Sequence, residues 1–290
     1  MSRYLDPKAD IVFKRIFGEH KDLLQSFLNA LLPLPEDGQI VSLEYLTPEQ
    51  TPQIPAFKST IVDVRCTDQH GRVFIVEMQM QWIESFKQRL LFNASNAYVR
   101  QLAPGEDYKL LKPVYGLGLL NCEFDRDNPD WYHYYQMINV QNPQRTIEDL
   151  QLVFIELPKI QTLSKRDKKL KILWLRFMTE INKQTLEVPK EFLEVPEIKE
   201  AVRLTEESAY TPGELLTYDK YWDEVSVQKG LWADSFEKGE TKGEAKGLAK
   251  GLAKGKIEEK FEIAKKMLAA KLDIKTIMEV TGLSEKEITQ

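Results

Sequence analysis

Two acidic residues, Asp63 and Glu77, stand at positions that a β-hairpin would place opposite each other. Apolar and polar residues alternate on both sides of a turn signal at 68–71, which is the period-two pattern of strands. A hairpin centred on residue 70 pairs position 63 with position 77, because both lie seven residues from that centre. Side chains directly opposed in this way have Cβ atoms about 4.5–5.5 Å apart. The sequence therefore predicts two carboxylates side by side.

Such a pair has a definite chemistry, because two close carboxylates repel each other unless a proton or a cation lies between them. Mg²⁺ and Mn²⁺ favour oxygen ligands, keep several waters and usually take one or two protein carboxylates, which suits a site for a phosphate-containing substrate. The alternative is an exposed sheet face on which Lys58, Arg65 and Arg72 balance the acidic charge. The spacing alone leaves both interpretations open.

The same alternation assigns two faces to the second strand of the hairpin. Its buried face is expected to carry four apolar residues, Phe74, Val76, Met78 and Met80. Its polar face is expected to carry Glu77, Gln79 and Gln81, on the side of Asp63. We therefore predict a half-buried strand whose acidic residue lies on its polar face and not in the core.

The residues around this pair resemble a known nuclease pattern. Asp63, a turn and Glu77-x-Gln79 are similar to the D…(D/E)xK core of the PD-(D/E)XK superfamily, in the E-x-Q form of the Rpn recombination-promoting nuclease and transposase family. The segment 10–18 is similar to the D-x-x-F-K-x-x-F-G sequence that opens those proteins. The resemblance covers about residues 4–160 well and the rest of the chain loosely.

This resemblance implies a DNA endonuclease that uses Mg²⁺ or Mn²⁺ to hydrolyse phosphodiester bonds, in transposition, recombination or defence. Asp63 and Glu77 are then expected to be catalytic metal ligands, and the main-chain carbonyl of Met78 a further ligand. DNA is the partner that the resemblance implies. Two alternatives stay open: a degenerate nuclease fold kept for DNA or protein binding, and a regulatory factor whose helical tail is the working part.

Gln79 stands where the superfamily usually has a lysine, and the resemblance makes it the third catalytic residue. An amide can position a water or a phosphate oxygen, but it carries no charge. The charge that stabilises the transition state must then come from another side chain, and Lys14, Lys58 and Arg89 are the candidates. On this argument, Gln79→Lys is expected to retain or raise activity.

Asp10 is a further auxiliary candidate, because some members of the superfamily supply an extra acidic residue from the first helix. Asp10 and Lys14 lie one helical turn apart and share a face of the helix predicted there. The alternative is a simple i,i+4 ion pair worth a few tenths of a kcal/mol.

Composition excludes several other classes of protein. The chain has 290 residues, 42% of them hydrophobic, which is enough for a sizeable core. No run approaches about 18 apolar residues and no signal-peptide pattern opens the chain, so we expect a cytoplasmic protein with no membrane segment. Two cysteines and three scattered histidines favour neither a disulfide framework nor a zinc site. The net charge of −5 argues mildly against nucleic-acid binding, because neutralising phosphates requires a basic surface. The basic cluster at 165–171 is either a local patch for such binding or only the solvated start of a helix.

The order of predicted elements, α-α-β-β-β-α-β-β-β, matches a restriction-endonuclease-like α/β core with a mixed sheet flanked by helices, followed by a helical C-terminal region. The expected helices span residues 6–17, 20–32 and 83–102. The expected strands span 40–46, 57–67, 72–81, 112–121, 132–140 and 151–157. We divide the chain into a nuclease-like domain at 1–190, a helical extension at 191–232, a Gly/Lys repeat at 233–256 and a small helical module at 257–290.

The tail carries a strict repeat, in which five glycines recur every four residues from Gly239 to Gly255, each preceded by a lysine. Each glycine inside a helix costs about 1 kcal/mol relative to alanine, so a rigid isolated helix is not expected. The repeat is interpreted as a semi-flexible helical linker or, alternatively, as a self-association helix.

The last residues, 257–290, have the features of a small helix-turn-helix-like unit. Gly282 suits a helix end, and Ser284 with Glu287 forms a capping-box pattern. A helix that reads DNA would expose basic and polar residues, whereas this one is short and acidic. We therefore favour protein interaction over DNA readout, including a homodimer through the C-terminal helices.

Overall fold

A computed structural model describes residues 3–50, 60–81, 83–162 and 169–288. The helices are α1 Asp10–Glu19, α2 Lys21–Leu31, α3 Phe86–Val99, α4 Leu170–Glu180, α5 Lys190–Glu194, α6 Pro196–Leu204, α7 Pro212–Ala269, α8 Ile274–Thr281 and α9 Glu285–Ile288. The strands are β1 Leu43–Tyr45, β2 Glu49–Gln50, β3 Thr60–Ile61, β4 Val64–Asp68, β5 Val73–Gln79, β6 Val114–Leu120, β7 Tyr132–Asn139 and β8 Asn142–Glu156. The chain divides into two compact units, Met1–Val225 and Ser226–Gln290.

The first unit is built on a mixed six-stranded sheet with the order β1-β4-β5-β6-β8-β7. The strands β5, β6 and β8 are parallel neighbours, whereas β1, β4 and β7 pair antiparallel with theirs. Helices flank this sheet, and a separate ribbon is formed by β2 and β3. The predicted fold class, a mixed sheet with flanking helices and a helical C-terminal region, is confirmed.

The β4–β5 hairpin has the predicted register. Val64 lies opposite Val76 and Thr67 opposite Val73, so the pairing is centred on residue 70. Gly71 closes the turn with φ 77, a left-handed conformation that costs glycine little. Asp63 lies one residue before β4, in a bend, and continues this register toward Glu77.

The prediction of a half-buried β5 is wrong, because this strand is central and covered on both faces. Phe74 and Val76 lie in the larger core with α1, α2 and α4, as expected. Ile75, on the face predicted to be polar, lies in a second core beneath α3. Local alternation could not show this burial, since β6 and α3 come later in the chain.

Two glycines in β6 bring α3 close to the sheet. A Cβ atom added at Gly116 would lie 2.8 Å from Leu152 and 3.2 Å from Leu90. One added at Gly118 would lie 2.9 Å from the ring of Phe86. Because α3 packs on hydrogen atoms here and not on side chains, it approaches near enough for its polar residues to reach β5.

The first helix begins later than predicted. A helix was expected at 6–17, but α1 starts at Asp10 and ends at Glu19. The side chain of Asp6 accepts a hydrogen bond from the Lys8 amide at 2.9 Å, and its carbonyl accepts one from the Ala9 amide at 3.1 Å. Asp6 therefore closes a turn before the helix, and Asp10 occupies the first helical turn.

The second unit carries most of α7 together with α8 and α9. The helix α7 is continuous through the Gly/Lys repeat. The predicted capping pattern is confirmed, since Glu287 accepts a hydrogen bond from the Ser284 amide at 2.8 Å and Gly282 ends α8 with φ 68. A small core joins the three helices through Ala264, Ile277, Leu283 and Ile288. Across the described part of the chain, no helix combines the length and the apolar character needed to cross a membrane.

Candidate active site

Asp63 lies at the N-terminal end of β4, one residue before the strand begins. Its Oδ2 accepts a hydrogen bond from the Met78 amide at 2.6 Å. The pKa of Asp63 is raised to about 6, mainly by burial and to a smaller extent by the charges of Glu77 and Asp10, while the Met78 amide acts to lower it. The carboxylate is thus held in surroundings that disfavour its charge, chiefly through burial, and the repulsion from Glu77 that the sequence predicted is a smaller contribution.

Glu77 is buried, with 3% of its surface exposed, and α3 supplies its partners. Its Oε1 accepts a hydrogen bond from Asn93 Nδ2 at 2.6 Å. Its Oε2 accepts one from Arg89 Nε at 3.2 Å, and Arg89 Nη2 lies 3.1 Å away. The expectation that Glu77 lies on a polar face outside the core is therefore wrong, because α3 covers this face of β5.

Gln79 shares the same arginine. Its Oε1 accepts a hydrogen bond from Arg89 Nη2 at 2.7 Å, while its Nε2 donates to the carbonyl of Gln81 at 2.7 Å. The guanidinium of Arg89 thus bridges Glu77 and Gln79, and 40% of its side chain stays exposed. A fixed positive charge stands beside the position where the superfamily usually has a lysine.

Asn93 is a site residue that the sequence analysis missed. It is fully buried, and its Oδ1 has no hydrogen-bond partner in the described structure. Asn93 and Arg89 lie four residues apart and therefore share one face of α3. That spacing was the available signal, since a polar pair on an otherwise apolar helix face needs a partner on the sheet.

Two other auxiliary candidates, Asp10 and Lys14, lie on α1 and act on Asp63 through their charges. Asp10 and Lys14 form a half-exposed ion pair of 2.9 Å on α1. The charge of Asp10 raises the pKa of Asp63 and that of Lys14 lowers it, so both lie within electrostatic range. Lys58 lies outside the described residues.

The first turns of α7 form another wall of this region, which the sequence analysis also missed. Gln81 Nε2 donates a hydrogen bond to the carbonyl of Val225 at 3.0 Å. The hydroxyl of Tyr221 donates to the carbonyl of Lys8 at 3.3 Å. Burial raises the pKa of Tyr221 above its usual range, and the charges of Asp10 and Asp63 raise it further.

Comparison with protein families agrees with this geometry. A family model described as PD-(D/E)XK nuclease family transposase matches residues 7–229. The chain belongs to this family. A second model, described as the C-terminal HTH domain of the Rpn/YhgA-like nuclease family, matches residues 258–290. No match is found among curated proteins or among solved structures.

Family membership confirms the resemblance to Rpn-type nucleases and directs attention to a divalent metal, which nucleases of the PD-(D/E)XK family typically use. In the part of the chain that the structure describes, no three His, Cys, Asp or Glu side chains converge as a metal site. The donors that the site offers are the carboxylates of Asp63 and Glu77 and the carbonyl of Met78. Hard cations usually need only one or two protein carboxylates, so this donor set fits Mg²⁺ or Mn²⁺.

The Met78 carbonyl is placed suitably for this role in a PD-(D/E)XK site. The amide of Met78 donates to Asp63, and the amide and carbonyl of one strand residue point to the same side. The Val62 amide, which would continue the β4 ladder, donates to the carbonyl of Pro48 at 3.2 Å instead. The Met78 carbonyl therefore faces the side of Asp63, past the last β4–β5 pair.

Glu77 also keeps free lone pairs for a cation. A carboxylate has about four acceptor positions, and the hydrogen bonds to Glu77 do not occupy all of them.

Proposed function

We propose that this protein is a divalent-metal-dependent DNA endonuclease that hydrolyses phosphodiester bonds with Mg²⁺ or Mn²⁺. One observation carries the proposal: Arg89 bridges Glu77 and Gln79, at 3.1 and 2.7 Å. The site thereby holds a positive charge next to its acidic pair, although position 79 is not a lysine. Membership in a nuclease family supports the same activity.

In this proposal each residue has a separate task. Asp63, Glu77 and the Met78 carbonyl would hold the cation, which supplies an activated water and neutralises charge on the phosphate. Arg89 stabilises the charge that develops on the phosphate oxygens, because its guanidinium is fixed before the reaction and stays partly exposed. Gln79 orients Arg89, and Asn93 orients Glu77.

A second function is favoured by a different feature of the same contacts. Both oxygens of the buried Glu77 already have partners on α3, as in an ion pair that only stabilises a fold. A nuclease fold with such a pair could serve as a DNA-binding or protein-interaction factor without cleavage. The two functions differ in whether the site cleaves DNA, so a cleavage assay distinguishes them.

The family match to a C-terminal HTH domain supports DNA as the partner of this chain. We extend the proposal to transposition, recombination or defence as its setting, and to a homodimer through the C-terminal helices. The core of the second unit supports the dimer, because the four buried apolar residues found among its described residues are few for a unit that stands alone.

The test is nicking of supercoiled plasmid by the purified full chain with Mg²⁺, with Mn²⁺ or with EDTA. We expect cleavage with either cation, none with EDTA, and none by Asp63→Ala or Glu77→Ala. Asp63→Ala should keep a cooperative melting transition, because Asp63 lies at the end of β4, outside the hydrophobic core. Equal cleavage in EDTA, or wild-type nicking by Asp63→Ala, would remove the proposed site. No cleavage with any cation, combined with DNA binding, would favour the second function.

A further inference from the structure

A row of exposed lysines follows one side of α7 in the second unit. The row consists of Lys238, Lys242, Lys246, Lys250 and Lys254, one every four residues, and we call it the lysine row. Four residues advance an α-helix by about 6 Å and turn it by about 40°. The five lysines therefore span about 24 Å and stay within an arc of about 160°.

Charge is segregated around this helix. With about 100° per residue, the acidic residue Glu244 falls on the half opposite the lysine row. Leu248 and Leu252, both exposed, fall on that opposite half as well. Lys254 lies 3.7 Å from Glu258, whereas Lys246 and Lys250 have no ion-pair partner among the described side chains. The row thus presents a strip of positive charge in which Lys246 and Lys250 are not compensated by the described side chains.

The glycine after each lysine adds no side chain to this surface. A Cβ atom placed at any of the five glycines from Gly239 to Gly255 would meet no heavy atom within 4 Å. A partner can therefore approach the helix backbone beside the lysines. This open surface favours a partner with an anionic backbone that runs along the helix, because the long lysine side chains can then contact it from one side.

We propose that the lysine row binds the phosphodiester backbone of nucleic acid without regard to sequence. One strand of a duplex presents a phosphate about every 3.4 Å along its axis, so a row of about 24 Å faces about seven phosphates. Lysine suits this task, because its ammonium is a compact charge on a flexible stem. The binding does not depend on cleavage at Asp63, and it explains how a chain with a net charge of −5 can hold a polyanion.

An anionic membrane is the other polyanionic surface, and the charge pattern disfavours it. A helix that lies in a membrane interface needs a continuous apolar face opposite its basic residues. Here Leu248 and Leu252 share that face with the acidic Glu244. The opposite half of α7 is therefore too polar to enter a bilayer.

The test measures binding of the full chain to a fluorescent 20-base-pair duplex in EDTA at 50–200 mM salt. The test variant carries Lys→Gln at all five positions of the lysine row. Each phosphate contact contributes about 0.9 to the slope of log affinity against log salt. If three to five lysines make contacts, the variant's slope should be shallower by about 2.7–4.5. The wild type should then lose about 40- to 500-fold more affinity than the variant over this salt range.

The matched control removes five charges by Lys→Gln at exposed positions of the first unit, outside both the lysine row and the segment 258–290, namely Lys21, Lys109, Lys112, Lys190 and Lys199. A second variant with arginine at all five row positions should keep the wild-type slope. Circular dichroism should show unchanged helix, because lysine, glutamine and arginine have similar helix propensities.

Three outcomes would overturn the proposal. One is a slope change below about 1 in the row variant, less than a single contact. Another is an equal change in the control, which would indicate only general charge. The last is stronger row-dependent binding to phosphatidylglycerol vesicles than to the duplex. Because no cleavage is measured, an inactive site at Asp63 would leave this result unaffected.

Discussion

The contact between Arg89 and Gln79 leads to an expectation opposite to the one from sequence. Gln79→Lys was expected to retain or raise activity, because it restores the usual charge of the superfamily. In the structure, however, Arg89 Nη2 already donates to Gln79 Oε1 at 2.7 Å. A lysine at position 79 would replace that acceptor with a second cation, so we predict that Gln79→Lys alone lowers both stability and activity.

The size of this effect follows from the distance and the exposure. Two like charges about 4 Å apart repel by about 4 kcal/mol at an effective dielectric constant of about 20, which is an upper limit for this pair. The side chain of Arg89 is 40% exposed, and a lysine can turn toward solvent, so most of this repulsion is screened. Loss of the hydrogen bond adds about 1 kcal/mol. We expect a decrease of about 1–3 kcal/mol in the free energy of unfolding and about a tenfold loss of nicking rate.

Removal of Arg89 should reverse the effect of lysine at position 79. Arg89→Met deletes the fixed charge beside the phosphate, which should cost about 10²–10³ in rate. In that background Gln79→Lys restores a cation without a competitor, so the double variant should return to within about tenfold of wild type. Independent losses would multiply to about 10³–10⁴, so recovery corresponds to a coupling of at least about 3 kcal/mol.

The assay is plasmid nicking with Mg²⁺, with a urea melt of each variant. Arg145→Met is the matched control, because Arg145 is exposed on β8 and its loss should leave both measurements unchanged. Losses that multiply in the double variant would refute the argument that Arg89 replaces the missing lysine. Wild-type nicking by Arg89→Met would refute it as well.

Three further predictions concern the acidic pair, the packing of α3 and the tail. Asp63→Asn should abolish nicking, yet it should stabilise the metal-free protein above pH 6 by about 1–3 kcal/mol. The reason is that the pKa of Asp63 is raised to about 6 in the folded state, so the wild type loses stability as the pH rises from about 4 to 6. Urea melts of both proteins at pH 4 and pH 8 measure this difference. Gly118→Ala places a Cβ 2.9 Å from Phe86 and should lower the melting temperature and the nicking rate, whereas Gly230→Ala, in open space, should do neither; equal effects would contradict the close packing of α3. Truncation after Trp232 should convert a dimer into a monomer, as measured by light scattering. If the number of chains per particle is the same before and after truncation, a dimer through the tail is excluded.

Local sequence was sufficient for the features that depend on near neighbours along the chain. The β4–β5 register follows from alternation about the turn at 68–71, and it aligns Asp63 with Glu77. The cap formed by Ser284 and Glu287 is equally local. Motif spacing was also sufficient for the family, since the pattern from Asp10 to Gln79 is held within one stretch of chain.

Only the tertiary structure decided how the acidic pair is held. Glu77 is buried because β6 pairs with the free edge of β5 and α3 packs on its face, and both come later in the chain. That packing selects Arg89 as the cation beside Gln79 and adds Asn93, which no motif indicated. Val225 reaches Gln81 from 144 residues away. Alternation reports which residues share a face of a strand, but the covering of that face depends on distant segments, so the sequence placed the carboxylates and the fold supplied their partners.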